Sequence, residues 1–72
     1  MLSKVEIQKA IGNRIRVLRE ERNIPQQDLA GLCNMEKSNF SRLESGRSNP
    51  TIYTLSLIAD KLDVSLNELV NF

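Results

Sequence analysis

Apolar residues recur along this chain at helical intervals, and no stretch alternates as a half-buried strand would. Ile7, Ile11, Ile15 and Leu18 are spaced by four, four and three, which places them on one helical face. Ser3-Lys4-Val5-Glu6 has the form of a capping box at the start of that face. Asn23 and Pro25 bracket its end, because the residue before a proline avoids the helical region. The pattern predicts a first helix over Lys4–Arg22. Leu29, Ala30 and Cys33 predict the inner side of a second helix over Gln26–Cys33, closed by Asn34, a residue that tolerates the left-handed conformation. Phe40 and Leu43 predict the inner side of a third helix over Lys37–Ser45, which Gly46 stops. After a polar loop over Ser45–Pro50, Thr51 can cap a fourth helix with an apolar stripe of Ile52, Leu55, Ile58, Ala59 and Leu62. Asp63-Val64 turns the chain. Ser65-Leu66-Asn67-Glu68 reads as a second capping box, opening a short fifth helix to about Val70. The expectation is one all-α domain over residues 1–72, a compact five-helix unit. Its core is Ile15, Leu18, Leu29, Ala30, Phe40, Leu43, Leu55, Ile58 and Leu62.

The spacing of the second and third helices is the most informative feature. Only Asn34, Met35 and Glu36 separate them. Two helices joined so tightly must cross steeply, the helix-turn-helix arrangement that can place its second helix in a DNA major groove. With Phe40 and Leu43 inside and successive residues rotated by about 100°, Lys37, Ser38, Ser41, Arg42 and Ser45 share the outer side. That stripe carries two cations and three small hydroxyl residues, with no acid and no bulky group. An arginine can make paired hydrogen bonds to a guanine edge, and serine can donate or accept. Lys37 and Ser38 occupy the first turn, which enters the groove deepest in this motif. The loop residues Ser45, Arg47, Ser48 and Asn49 suit phosphate oxygens, as does Gln26 at the start of the second helix. A small helix also shows water a polar face for no further reason, so the turn spacing and the neighbouring loop carry the reading.

Charge sharpens it. The net charge is only +1. Residues 1–47 hold nine Lys/Arg and six Asp/Glu, a balance of +3, and residues 48–72 hold one Lys and three Asp/Glu, a balance of −2. One side suits a polyanion better than the other. There is one cysteine and no histidine, so no internal disulfide can form and a Cys/His metal site lacks ligands. Cys33 reads as a core residue, and no catalytic nucleophile with a base is evident, which argues against an enzyme. No apolar run approaches the roughly 20 residues of a membrane span, and the lone cysteine suits a reducing cytosol, so the expected location is the cytoplasm. No cofactor and no small-molecule ligand is implied.

In combination, IxxRIRxLRxxR, QxxLA, SNFSRLESGRSNPT and LSLIADKLDVSLNEL resemble the XRE-like, Cro/cI-type helix-turn-helix family of phage repressors and bacterial regulators, over about Ile11 to Val70. The resemblance implies a lambda-repressor-like five-helix DNA-binding domain and usually a homodimer on a pseudo-palindromic operator. It implies base readers at Lys37, Ser38, Ser41 and Arg42, with phosphate contacts around Ser45, Arg47 and Asn49. Gln26 would contact phosphate and buttress the third helix, and Arg19 and Glu44 would form a structural ion pair. The chain departs from the family at Pro25 and Glu36, which replace the usual Ser/Thr caps, and at Asn34 and Asp63, which replace turn glycines. Glu36 is expected still to cap its helix. For the dimer surface, Leu69, Val70 and Phe72 are the candidates, with Leu69 also suited to the core; Leu2 and Val5 are the next place to look. The competing class is a protein-interaction module or antitoxin that keeps this fold with little DNA binding of its own. RNA binding lacks an aromatic platform.

Overall fold

The computed structural model describes residues 1–72 as five helices without a strand. They are α1 (Lys4–Glu21), α2 (Gln26–Leu32), α3 (Lys37–Glu44), α4 (Ile52–Lys61) and α5 (Leu66–Leu69). All the expected core residues are buried, joined by Cys33, Ala59 and Leu69. Phe40 has 0% of its surface exposed, so α3 is built inward from its one aromatic ring. Arg14 of α1 and Arg22, its C-cap, tie the C-terminal helices to it. Arg14 Nε donates to Glu68 O at 2.9 Å and Arg22 Nε donates to Leu62 O at 2.9 Å.

The Ser3 capping box of α1 forms in full, and its backbone and side-chain hydrogen bonds to Ser3 hold the Glu6 carboxyl below the usual range. Thr51 caps α4 through Thr54 N. Two expected caps are absent. Ser65 makes no side-chain cap, because the Glu68 amide it would serve donates instead to the Ser65 carbonyl at 3.0 Å, a tight turn suited to a four-residue helix. Glu36 makes none either; its extra methylene relative to Asp sets the carboxylate beyond the first-turn amides that shorter side chains reach.

Helices α1 to α4 all close in one way. Asn23, Asn34, Gly46 and Asp63 have φ of 54°, 55°, 79° and 59°. The following amides of Ile24, Met35, Arg47 and Val64 reach back to the carbonyls of Arg19, Ala30, Arg42 and Ala59. This is the Schellman closure, in which the residue after the left-handed one commonly packs against the helix it ends. It also ends α1, α2 and α3 one residue earlier than the apolar spacing predicts, since Arg22, Cys33 and Ser45 become C-caps. Ile24, Met35 and Val64 lie against the core. The fourth, Arg47, is exposed, so α3 alone is followed by an outward-facing cation.

Helices α1 and α3 cross with their backbones in contact. Gly12 is buried, and a Cβ there would overlap Leu43 O and stand 2.6 Å from Glu44 O. Helix propensity alone predicts that Gly12→Ala stabilises α1 by ~1 kcal/mol. The overlap is with backbone, which cannot yield as a side chain does, so we expect a net loss of ~1–3 kcal/mol in urea unfolding. Unchanged stability would show that the helices stand further apart.

Candidate nucleic-acid interface

Helix α3 presents two different sides. Phe40, Leu43 and Glu44 are buried, while Lys37, Ser38, Arg42 and Ser45 are exposed and Ser41 is half-buried. The residues expected to read bases thus share one face, with Ser41 the most recessed. Asn39 is exposed beside them and was not evident from spacing, since it lies at the edge of the stripe rather than on it. No side chain caps α3 or α2, so neither start is closed by a polar side chain, as Pro25 and Glu36 in place of Ser or Thr dictate.

Glu44 is the only acid between Lys37 and Ala59, and it faces inward. Arg19 grips it with two hydrogen bonds, Nε to Oε2 at 2.7 Å and Nη2 to Oε1 at 3.1 Å. The side chains are 11% and 3% exposed. Arg19 Nη1 also donates to Ile24 O at 2.8 Å, joining the end of α1 to the start of α2. The hydrogen bond from Glu44 raises the Arg19 pKa above its ordinary value, against the opposing effect of burial. Gln26 Nε2 donates to Glu44 Oε1 at 2.9 Å. The Gln26 amide therefore braces α3, as the family resemblance implies, with its nitrogen turned toward Glu44.

The loop after α3 is arranged around Arg47. Ser45 Oγ donates to Arg42 O at 3.0 Å and accepts from Arg47 Nε at 3.1 Å. Ser45 thus orients Arg47 while staying exposed. Asn49 is exposed and Ser48 half-buried. With Asn39, Arg42 and Thr54 they line an open cleft of about 340 Å³ between α3 and the start of α4. Lys37, Arg42 and Arg47 make no ion pair. The face is cationic and polar, with Glu44 neutralised from behind and the exposed Glu36 at the start of α3 as its one outward acid.

Two other expectations are decided by burial. Cys33 is buried among apolar side chains, and desolvation pushes its thiol pKa up, the opposite of what a nucleophile needs. Leu69 is 0% exposed. As a dimer-surface candidate it is corrected to a core residue, because α5 turns it into the space between α1 and α4. Val70 and Phe72 remain, 41% and 56% exposed.

Breaking a buried ion pair from one side strands the other charge. Arg19→Met is expected to cost ~3–5 kcal/mol in chemical unfolding, and Arg19→Met with Glu44→Leu less than the sum of the single changes. Strict additivity in this cycle would mean that the two groups are solvated separately.

The helix-turn-helix family profile matches residues 15–69. Over 66 residues the chain is 35% identical to an uncharacterized HTH-type transcriptional regulator, y4dJ, of Sinorhizobium fredii, covering 92% of this chain and 86% of that one. It is 33% identical over 60 residues to the immunity repressor protein of Bacillus phage phi105, covering 83% of this chain. The match spans only 42% of the repressor's length. Among solved structures, the master regulator for biofilm formation SinR, in complex with DNA, superposes with a TM-score of 0.75 at 35% identity, over 82% of this chain and 95% of that one. The matched segment contains α2, the four-residue turn from Cys33 to Glu36, α3 and the Arg19–Glu44 pair just described. The chain belongs to the XRE-like helix-turn-helix family of DNA-binding transcriptional regulators, a non-enzymatic class.

Proposed function

We propose that this protein is a sequence-specific DNA-binding regulator, of the repressor or controller kind, that sets α3 in the major groove of a pseudo-palindromic operator. The observation that carries this reading is the inward placement of Glu44. It leaves Lys37, Ser38, Ser41 and Arg42 on an outer face free of acid. These four read base edges. Arg47, Ser45, Ser48 and Asn49 take phosphates on the loop side, and the second N–H of the Gln26 amide, beside the start of α2, takes one on the other. No helix is long and apolar enough to cross a membrane; the setting is the cytoplasm of a bacterium, with the gene chromosomal or phage-borne.

One α3 per chain supplies one half-site, and two-fold pairing supplies the second. Val70 and Phe72 form the pairing surface, an exposed apolar pair next to a helix that Arg14 ties to α1.

Selection of bound sequences from random DNA should return two inverted half-sites about one helical turn apart. Arg42→Ala should weaken binding to that site by ~1–3 kcal/mol and relax preference at a single base pair. Full sequence preference in the variant would rule out this docking of α3.

Val70→Asp and Phe72→Ala should lower the mass measured in solution toward that of a monomer and weaken operator binding together. If both variants stay as dimeric as the parent, the pairing surface lies elsewhere, and the exposed Leu2 and Val5 on α1 become the next candidates.

A further inference from the structure

The first eleven residues of α1, Lys4–Arg14, precede the segment that the family profile matches. They run alongside the loop that follows α3. The contact is at Gly46, where a Cβ would lie 2.7 Å from both Cα and Cγ of Lys9 and 3.0 Å from its backbone nitrogen. Gly46 has φ of 79°. Its lack of a side chain lets the backbone of α1 rest directly on the turn. Lys9 is the residue fixed there, its stem laid against Gly46, the residue that precedes Arg47 in the chain.

Lys9 is exposed and makes no ion pair. The acid nearest to it along α1, Glu6, is turned back to accept from Ser3 N at 2.9 Å. Glu44, the acid nearest in α3, is held by Arg19 and Gln26. The turn over Ser45–Arg47 is thus bordered by three cations, Lys9, Arg42 and Arg47, none of them held in an ion pair. Like charges gathered without a counter-ion repel one another, and a polyanion removes that cost. We infer that Lys9 is a DNA phosphate contact, extending the backbone clamp of Arg47 onto α1. The inference rests on the docking of α3 proposed above and adds to it a residue outside the family-matched segment.

The test is the dependence of DNA affinity on salt, measured for the full chain on the selected operator and on unrelated duplex. Each phosphate neutralised contributes about 0.9 to the slope of log affinity against log salt. Lys9→Ala should lower the slope by about one contact on both DNAs. Between 50 and 200 mM salt the variant's affinity should therefore fall about threefold less than the parent's. Lys9→Arg should keep the parent slope. Lys61→Ala, removing a lysine of α4 that sits beside Asp60, should leave it unchanged. Thermal melting of each variant separates lost contact from lost fold, and Lys9→Ala should melt like the parent because Ala is a good helix former. A parent-like slope in Lys9→Ala overturns the inference. If Arg47→Ala lowers the slope while Lys9→Ala does not, the inference fails alone. If neither lowers it, the docking of this face fails and the inference with it.

Discussion

The crossing of α1 over the end of α3 governs the rest of the molecule. Eight residues are too few to hold a helix in water on their own, because nucleation consumes most of what a short helix gains. α3 persists because Phe40 and Leu43 are buried below it and α1 lies across its last turn. Gly12 brings the two backbones together at the carbonyls of Leu43 and Glu44. About two turns further along α1, Arg19 holds the Glu44 carboxylate in a two-pronged grip. A buried pair of this kind contributes little net stability, since desolvation offsets its Coulombic gain. Its geometry is what matters: an apolar contact can slide, whereas paired guanidinium hydrogen bonds at fixed distances set both the height and the rotation of α3. Gln26, on the same carboxylate, brings α2 into register with both.

That arrangement also separates charge. The chain is nearly neutral as a whole, yet its third helix and following loop face outward with cations and small polar groups alone. The fold reaches this without a large basic excess, by turning the only acid of the region inward to meet an arginine. The four Schellman closures act alike. At three of them the chain re-enters the core through Ile24, Met35 and Val64, and at the fourth it emerges with Arg47. One backbone device thus does two jobs, and the residue that follows the left-handed position decides which.

The helices, their order and the inner face of each are local properties, and the sequence alone determined them except at Ile52, which opens the expected α4 stripe but is 66% exposed. Apolar residues three and four apart, the Ser3 capping box, Thr51, and the left-handed Asn34 and Gly46 each act within a turn or two of their own position. The tight turn between α2 and α3 was legible for the same reason, one residue shorter than the Cys33–Glu36 connection that forms, and with it the outer stripe of α3. The motifs of α1, α2 and α3, compared with the family, also foretold the Arg19–Glu44 pair and the bracing role of Gln26. Expectations slipped where a local signal met a competing local one: Ser65 lost its amide to its own carbonyl, and Glu36 proved too long to cap.

Only the tertiary structure decided what depends on approach between distant segments. Nothing near Gly12 in the chain says that a second backbone passes over it, and a glycine inside a helix reads locally as a mere weakness. The placing of Lys9 against Gly46 and the depth of Ser41 follow from how α1 and α2 pack on α3. Leu69 was split between core and partner in the sequence, because a four-residue helix has too little periodicity to fix its own rotation. Its burial came from the packing of α5 against α4 and α1. Periodicity specifies which side of a helix avoids water; which neighbour covers that side, and how closely, is set by the shapes of all five helices at once.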